Sequence, residues 1–350
     1  MSSMAVGGWV QSGLLAQLVA DNTATKAQLD TLTAQSASGK VSSSYGGLGT
    51  AAHVSLNLRP QMSQMTTWQQ NISLANTTLD TTQSVLKQLS SIVSTFSSAA
   101  LGTDMETADG ARALATQASQ ALDQVVTLLN TTSNGDYTFG GADSSTAPVS
   151  TTEIATFASS AATEVAGLSS GTAPATAVSD LLSAGTSAAF TYDSSGTYPA
   201  GVTTPIATGR SVNTAFVAGV NSCAKQSGTS TTGSYVRDII TALAGLAGLS
   251  NTTADQATLQ GFGTGISKIL QGATSALATE QAGFGEIQTE LTTRSTEITD
   301  AQTSLTKQVS SVEDVDMTAT ATALSTVQTQ LQASYKLISN ITSLSLTTYL

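Results

Sequence analysis

The sequence predicts a mainly α fold: a long antiparallel helical coiled-coil rod from N- and C-terminal segments, with an inserted α+β outer domain capping its far end. Three observations predict it. Every seventh residue from Leu270 is apolar: Leu270, Leu277, Phe284, Leu291, Ile298, Leu305 and Val312. A repeat of seven held this long marks a helix whose apolar seam keeps facing a partner helix. A second seam of the same period, Ile72, Leu79, Leu86, Val93 and Ala100, lies far upstream. Between them the texture turns to Gly, Ser, Thr, Ala and Val, and four of the five Pro residues fall there: Pro148, Pro174, Pro199 and Pro205. At about 1.5 Å per residue, Ile266 to Val312 makes a helix of roughly 70 Å, too long to stand without a partner.

In chain order, residues up to about Val10 are small and uncapped, and are expected to be mobile. From Leu14 a weak helical pattern runs through Leu18, Leu29 and Leu32 to Ser38-Gly39, where Gly suits the left-handed stop of a helix. Ser42 to Thr50, SSSYGGLGT, reads as a flexible connection. Its three Gly residues do not match a nucleotide fingerprint, and no strand leads into them. A sustained helix is expected from about Met62 to Leu101, with Leu89 and Phe96 as a second apolar row. Its many Thr and Ser are indifferent helix formers, so packing must hold it. Another helix carries Leu114, Ala118, Leu122, Val125 and Leu129 at spacings of three and four.

Asn134-Gly135 is turn chemistry. Beyond it, Phe190 to Val202 (FTYDSSGTYPAGV) reads as strand, turn and strand, and Gly209 to Val220 as a further strand. Ala175 to Ser183 and Val236 to Leu249 are short helix candidates. The last stretch has its own seam in Leu324, Val327, Leu331, Ile338, Ile341 and Leu344. Its register is separated from the preceding helix at Glu313-Asp314-Val315-Asp316, where Asp314 or Asp316 can cap a new helix. Contiguous carboxylates without the Gly and spaced oxygens of a calcium loop favour that reading over a cation site.

Composition excludes several functions. The chain has 350 residues, only 10% of them charged, with a formal net charge of −11. Twelve scattered basic residues and 5% aromatics suit neither phosphate-backbone binding nor base stacking, so no nucleic acid partner is expected. One Cys, Cys223, and one His, His53, exclude an intrachain disulfide and a multi-His or Cys zinc site. The N-terminus lacks the positive region of a cleaved secretory signal, and no apolar run is long enough to span a bilayer. The expectation is a chain without membrane insertion, cytoplasmic or exported by another route. An active site in the middle region would rest on Asp180, Asp193, Asp238 and hydroxyls with no His or Lys placed near a nucleophile. No catalytic, cofactor-binding or metal residue is assigned, and no enzyme activity or cofactor is expected.

Two terminal blocks carry a family likeness. VEDVDMTATATALSTVQTQLQASYKLISNITSLSLTTYL, at the C-terminus, resembles the C-terminus of the bacterial flagellin family. LTAQSASGKVSSSYGGLG, NISLANTTLDTTQSVLKQLSSIVSTF and the turn GDYTFGG resemble its N-terminal half. The likeness covers roughly residues 25–141 and 265–350. Flagellins usually carry an Asp-Asp-Pro segment after the Ser-Gly turn; here the segment is SSSYGGLGTAAHV, without an acidic residue, which favours the hook-associated protein 3 branch.

The resemblance implies a self-assembling tube whose terminal helices, disordered before assembly, form coiled coils between subunits. The division expected is an N-terminal assembly segment (1–61), a first rod part (62–132), the outer domain (133–250), a returning helix (251–317) and a C-terminal assembly helix (318–350). The assembly seam would be Leu14, Leu18, Leu29, Leu32, Leu324, Val327, Leu331, Ile338, Ile341 and Leu344. Implied partners are copies of the chain, neighbouring axial proteins (hook-associated protein 1 and flagellin), the flagellar export apparatus and a chaperone. The implied location is the secreted, extracellular flagellum. A hook–filament junction protein is the leading expectation, a filament flagellin the alternative, and a non-flagellar coiled-coil interaction protein a third.

Overall fold

The computed structural model describes residues 4–185, 190–192, 199–214 and 216–347, with the side chains of residues 16–340 among them. The fold is mainly α with two small antiparallel hairpins. The chain divides into two compact units, one of Met1–Met65 with Thr299–Leu350, the other of Thr66–Ile298. Two long helices, α2 (Ala52–Ala99) and α7 (Gln256–Glu313), contribute to both.

In the unit Thr66–Ile298, α2 and α7 run antiparallel. Gln288 Nε2 donates to Asp80 Oδ1 at 2.7 Å, Gln83 Nε2 to the Gln281 carbonyl at 2.9 Å, and the Ser97 and Ser267 hydroxyls meet at 3.1 Å. Rising numbers on one helix thus meet falling numbers on the other. Both predicted seams are buried there, Ile72 to Val93 on α2 with Ala100 just past its end, and Leu270 to Ile298 on α7. Each large apolar side chain so covered contributes roughly 2 kcal/mol. α7 comes so near the end of α2 that a Cβ at Gly263 would run into the Ala100 carbonyl.

The rest of this unit packs around a buried helix. α3 (Ala108–Leu129), capped by the Thr107 hydroxyl accepting from the Gly110 amide at 3.1 Å, lies against α6 (Tyr235–Ala247). Every α6 residue from Tyr235 to Leu246 is buried, so the helix has no solvent face. Its buried Asp238 is met by four donors: Thr231 Oγ1 (2.6 Å), Thr232 N (2.6 Å), Thr232 Oγ1 (2.8 Å) and Gln226 Nε2 (3.0 Å). Burial still pushes the Asp238 carboxyl above its ordinary range, although these bonds pull it back. Helices α4 (Thr151–Ala166) and α5 (Pro174–Gly185) pack on α6 and on each other.

The hairpin β1 (Thr132–Ser133) with β2 (Asp136–Tyr137) turns at Asn134-Gly135, both at positive φ as a tight hairpin turn requires. The hairpin β3 (Thr203–Ala207) with β4 (Arg210–Asn213) turns at Thr208-Gly209 and is irregular between Pro205 and Ala207. Asn71 Nδ2 reaches the Pro205 carbonyl at 2.9 Å and Arg210 pairs with Glu290 at 2.7 Å, tying the hairpin to both long helices.

In the unit of Met1–Met65 and Thr299–Leu350, α1 (Met4–Ser38) lies along α8 (Met317–Thr347). Leu305 and Val312, the last two positions of the α7 seam, are half-buried here.

Five local expectations differ from what forms, the first being α1, which is helical from Met4, within the stretch expected to be mobile. Ser42–Thr50, expected as a flexible connection, runs into a 3-10 helix over Tyr45–Ala51 with a kink at Gly49. α2 starts at Ala52 rather than near Met62 and takes Pro60 into its interior, which leaves the Leu56 carbonyl without its usual helical donor. The half-buried row Val54, Leu58, Met62 and Met65 continues one face through Pro60, and packing outweighs the missing bond. The segment 190–202 supplies a single bridge from Phe190 to Val149, with residues 193–198 outside the described residues; the hairpin forms later, as β3 and β4. α4 has no counterpart among the expected elements. Its signals are the Ser150 hydroxyl accepting from the Glu153 amide at 3.3 Å and a buried row, Ile154, Phe157, Ala161 and Val165.

Candidate assembly surface

α1 and α8 hold the expected seam residues. On α1, Leu18, Leu29 and Leu32 are half-buried, with Asn22 and Thr25 completing the same face. On α8, Val327 is buried and Leu324, Leu331 and Ile338 are half-buried, with Thr320 and Ser334 between them. Since α1 packs on α8, these rows cover each other within one chain and leave much of their edges open. The side chains of Leu14, Ile341 and Leu344 lie outside the described residues. The cover is imperfect in a second way: the Asn22 side-chain oxygen is buried with no partner among the described residues. A polar group in an apolar seam lowers its stability and fixes which register it accepts.

The same unit shows a set of apolar side chains that the seven-residue spacing does not reveal. Val19 on α1, Leu56 on α2, and Met317, Tyr335 and Leu337 on α8 are each about half exposed; Leu337 keeps 54% of its surface in water. Tyr45 in the 3-10 helix adds another. For three of them the signal in the sequence is adjacency: Val19 follows Leu18, Tyr335 follows Ser334 and Leu337 precedes Ile338, so they take the next faces of helices whose first face is already used. They are large apolar groups left in water on this unit, as Leu74 and Leu101 are on the other.

The connections between these helices are tied by charge. α1 stops at Gly39, φ +69°, and α7 stops at Glu313. The two breaks pair as an isolated antiparallel bridge, Lys40 with Asp314. Val41 N donates to the Glu313 carbonyl at 2.7 Å and Val315 N to the Gly39 carbonyl at 3.0 Å. The Glu313 carboxylate, only 7% exposed, takes Arg59 Nη2 at 2.6 Å and the Ser55 hydroxyl, one turn apart on α2, with Lys40 Nζ at 3.5 Å. Hydrogen bonds from Arg59 and Ser55 hold its carboxyl below the usual range, and Lys40 does the same to Asp314. Asp316 caps α8, its Oδ1 accepting from the Thr318 amide at 2.8 Å and the Ala319 amide at 3.1 Å. Of the three acidic residues read as a helix start, Asp316 is therefore the cap, while Glu313 and Asp314 are counter-ions.

Residues 267–350 match the family description "Bacterial flagellin C-terminal helical region". Over that stretch the chain is similar to the C-terminal helices of bacterial flagellins. The flagellin match takes in most of α7 and all of the described α8, and with them every C-terminal seam residue from Leu324 to Leu344. No curated protein matches the chain. A solved structure described as a flagellar hook-associated protein from Vibrio parahaemolyticus is similar at 15% identity and a TM-score of 0.48, covering 75% of this chain and 97% of its own. At that degree of likeness, no conclusion about this chain rests on it.

No helix among the described residues is long and apolar enough to cross a membrane, and no group of three His, Cys, Asp or Glu there is placed to hold a metal ion. Of the carboxylates weighed for an active site, Asp238 is the buried acceptor that orders residues 226–232, Asp180 lies exposed on α5, and Asp193 is outside the described residues.

Proposed function

We propose that this chain is a flagellin-family, non-enzymatic axial subunit that joins the flagellum through α1 and α8, as the hook–filament junction protein. The observation that carries the assembly reading is the double apolar character of the terminal unit. One set of faces is half-covered within the chain, and a second set, Val19, Leu56, Met317, Tyr335 and Leu337, stands in water. Burying those faces between copies gives roughly 25 cal/mol per Å² of apolar area. Support for the junction role comes from Ser42–Val54, which turns into a 3-10 helix without an acidic side chain.

In this reading the chain is secreted through the flagellar export apparatus with the help of a chaperone, and its axial neighbours are hook-associated protein 1 and flagellin. Residues 1–61 and 318–350 supply assembly contacts, 62–132 and 251–317 the rod, and 133–250 the outer surface. The seam would be Leu14, Leu18, Leu29, Leu32, Leu324, Val327, Leu331, Ile338, Ile341 and Leu344. Immunogold labelling of intact flagella tests it. A single band at the hook end is expected; label along the whole filament would make the chain a filament flagellin instead.

A further inference from the structure

We infer that the two breaks lying side by side in the terminal unit, after α1 and between α7 and α8, form a latched double hinge, closed by the Glu313 carboxylate and opened when that carboxylate takes a proton from solvent. Each break is short and non-helical, and each is a place where backbone dihedrals can change without unwinding a helix. Apart from Glu313, the breaks are held by the backbone bonds at Val41 and Val315, the Lys40–Asp314 ion pair and the Gln35 side-chain amide, which donates to the Val41 carbonyl at 2.9 Å. What locks them is a carboxylate at the very end of α7 that reaches α2 through Arg59 and Ser55 and reaches the α1 break through Lys40. One group therefore ties three segments.

The charged and titratable groups facing it come from every element around it. Arg59 is on α2 and Lys40 on the α1 break, while Tyr45 of the 3-10 helix lies within electrostatic reach of Arg59. On the α7–α8 break, Asp314 is taken up by Lys40 and by the Ser310 hydroxyl, and Asp316 is turned away to cap α8. With both cations half-exposed and the carboxylate buried, protonation removes the ion pairs while Arg59 and Lys40 regain water at little cost.

The sign follows from the directions of the shifts. Glu313 and Asp314 sit below their ordinary values of 4.5 and 3.8, so their contribution is complete above those values and is lost as pH falls through the depressed ones. Lys40 sits above its ordinary 10.5, so its contribution is complete below 10.5 and is lost only as pH rises through the raised value. The latch is therefore shut across neutral pH and opens on the acid side.

The test is amide hydrogen exchange on the full-length monomer between pH 7 and pH 3, corrected for intrinsic rates, and it does not depend on whether the chain polymerises. The Val41 and Val315 amides should lose about tenfold or more of their protection on the acid side, the scale of a lost charge-assisted hydrogen bond. Amides of the buried α2 seam, such as Leu86, should keep theirs. Glu313→Gln should show the same loss already at pH 7 and little further change with acid. If that variant is poorly folded by circular dichroism, Arg59→Gln, at a half-exposed site, should give the same result. Unchanged protection at Val41 and Val315 in acid, loss only together with the α2 seam, or variants that match the parent at pH 7 would each overturn the latch.

Discussion

A methyl group is enough to test how tightly the two long helices meet. At Gly263 an added Cβ strikes the Ala100 backbone carbonyl, which cannot rotate away as a side chain would. Gly263→Ala should therefore destabilise the Thr66–Ile298 unit by about 1–3 kcal/mol, read as a lowered thermal midpoint. Gly285→Ala, where a Cβ meets nothing within 4 Å, should be neutral or stabilising by up to about 1 kcal/mol. Asp316→Ala should cost about 1 kcal/mol and show first in faster amide exchange at Thr318 and Ala319, whose donors it satisfies. Asp316 was legible in the sequence as one of two candidate caps, because a carboxylate before a helical run has a local meaning. Glu313 was not legible as a latch, because its partners Ser55 and Arg59 lie on a different helix and far away in the chain.

At the scale of elements, the seams of α2 and α7 have a period and an absence of competing signals, and both are buried within the Thr66–Ile298 unit, while Leu305 and Val312 beyond it are half-buried. Leu86→Ala on α2 should cost about 2–5 kcal/mol by leaving a cavity. α8 behaves differently because its faces are unequal. Leu337→Ser should change monomer stability by no more than about 0.5 kcal/mol, since that side chain is already in water, yet abolish co-assembly with flagellar neighbours. Sedimentation of the variant and of the parent under polymerising conditions separates the two effects. Normal assembly of the Leu337 variant would remove the exposed row from the assembly surface. α4 and the β3–β4 hairpin were harder to find, because short elements with Ala, Ser and Thr on their faces differ little from loops until a neighbouring helix covers them.

For the whole molecule, removing Thr318–Leu350 takes away α8 and leaves α1 without the helix it packs on, while the Thr66–Ile298 unit keeps its own core. The truncated chain should remain soluble, retain the cooperative unfolding of that unit, and fail to join filaments or rings by electron microscopy. Sequence alone determined that the chain is mainly α, that two distant stretches carry seams of one period, and that charge and residue types give little footing for nucleic acid or metal. Those properties are set by spacing and composition, which survive in one dimension. Only the tertiary structure decided which faces of α1 and α8 are covered and which stand open, and that Glu313 binds three segments at once. Such facts depend on residues brought together by folding, and no local pattern in the chain encodes the meeting of Arg59 with Glu313.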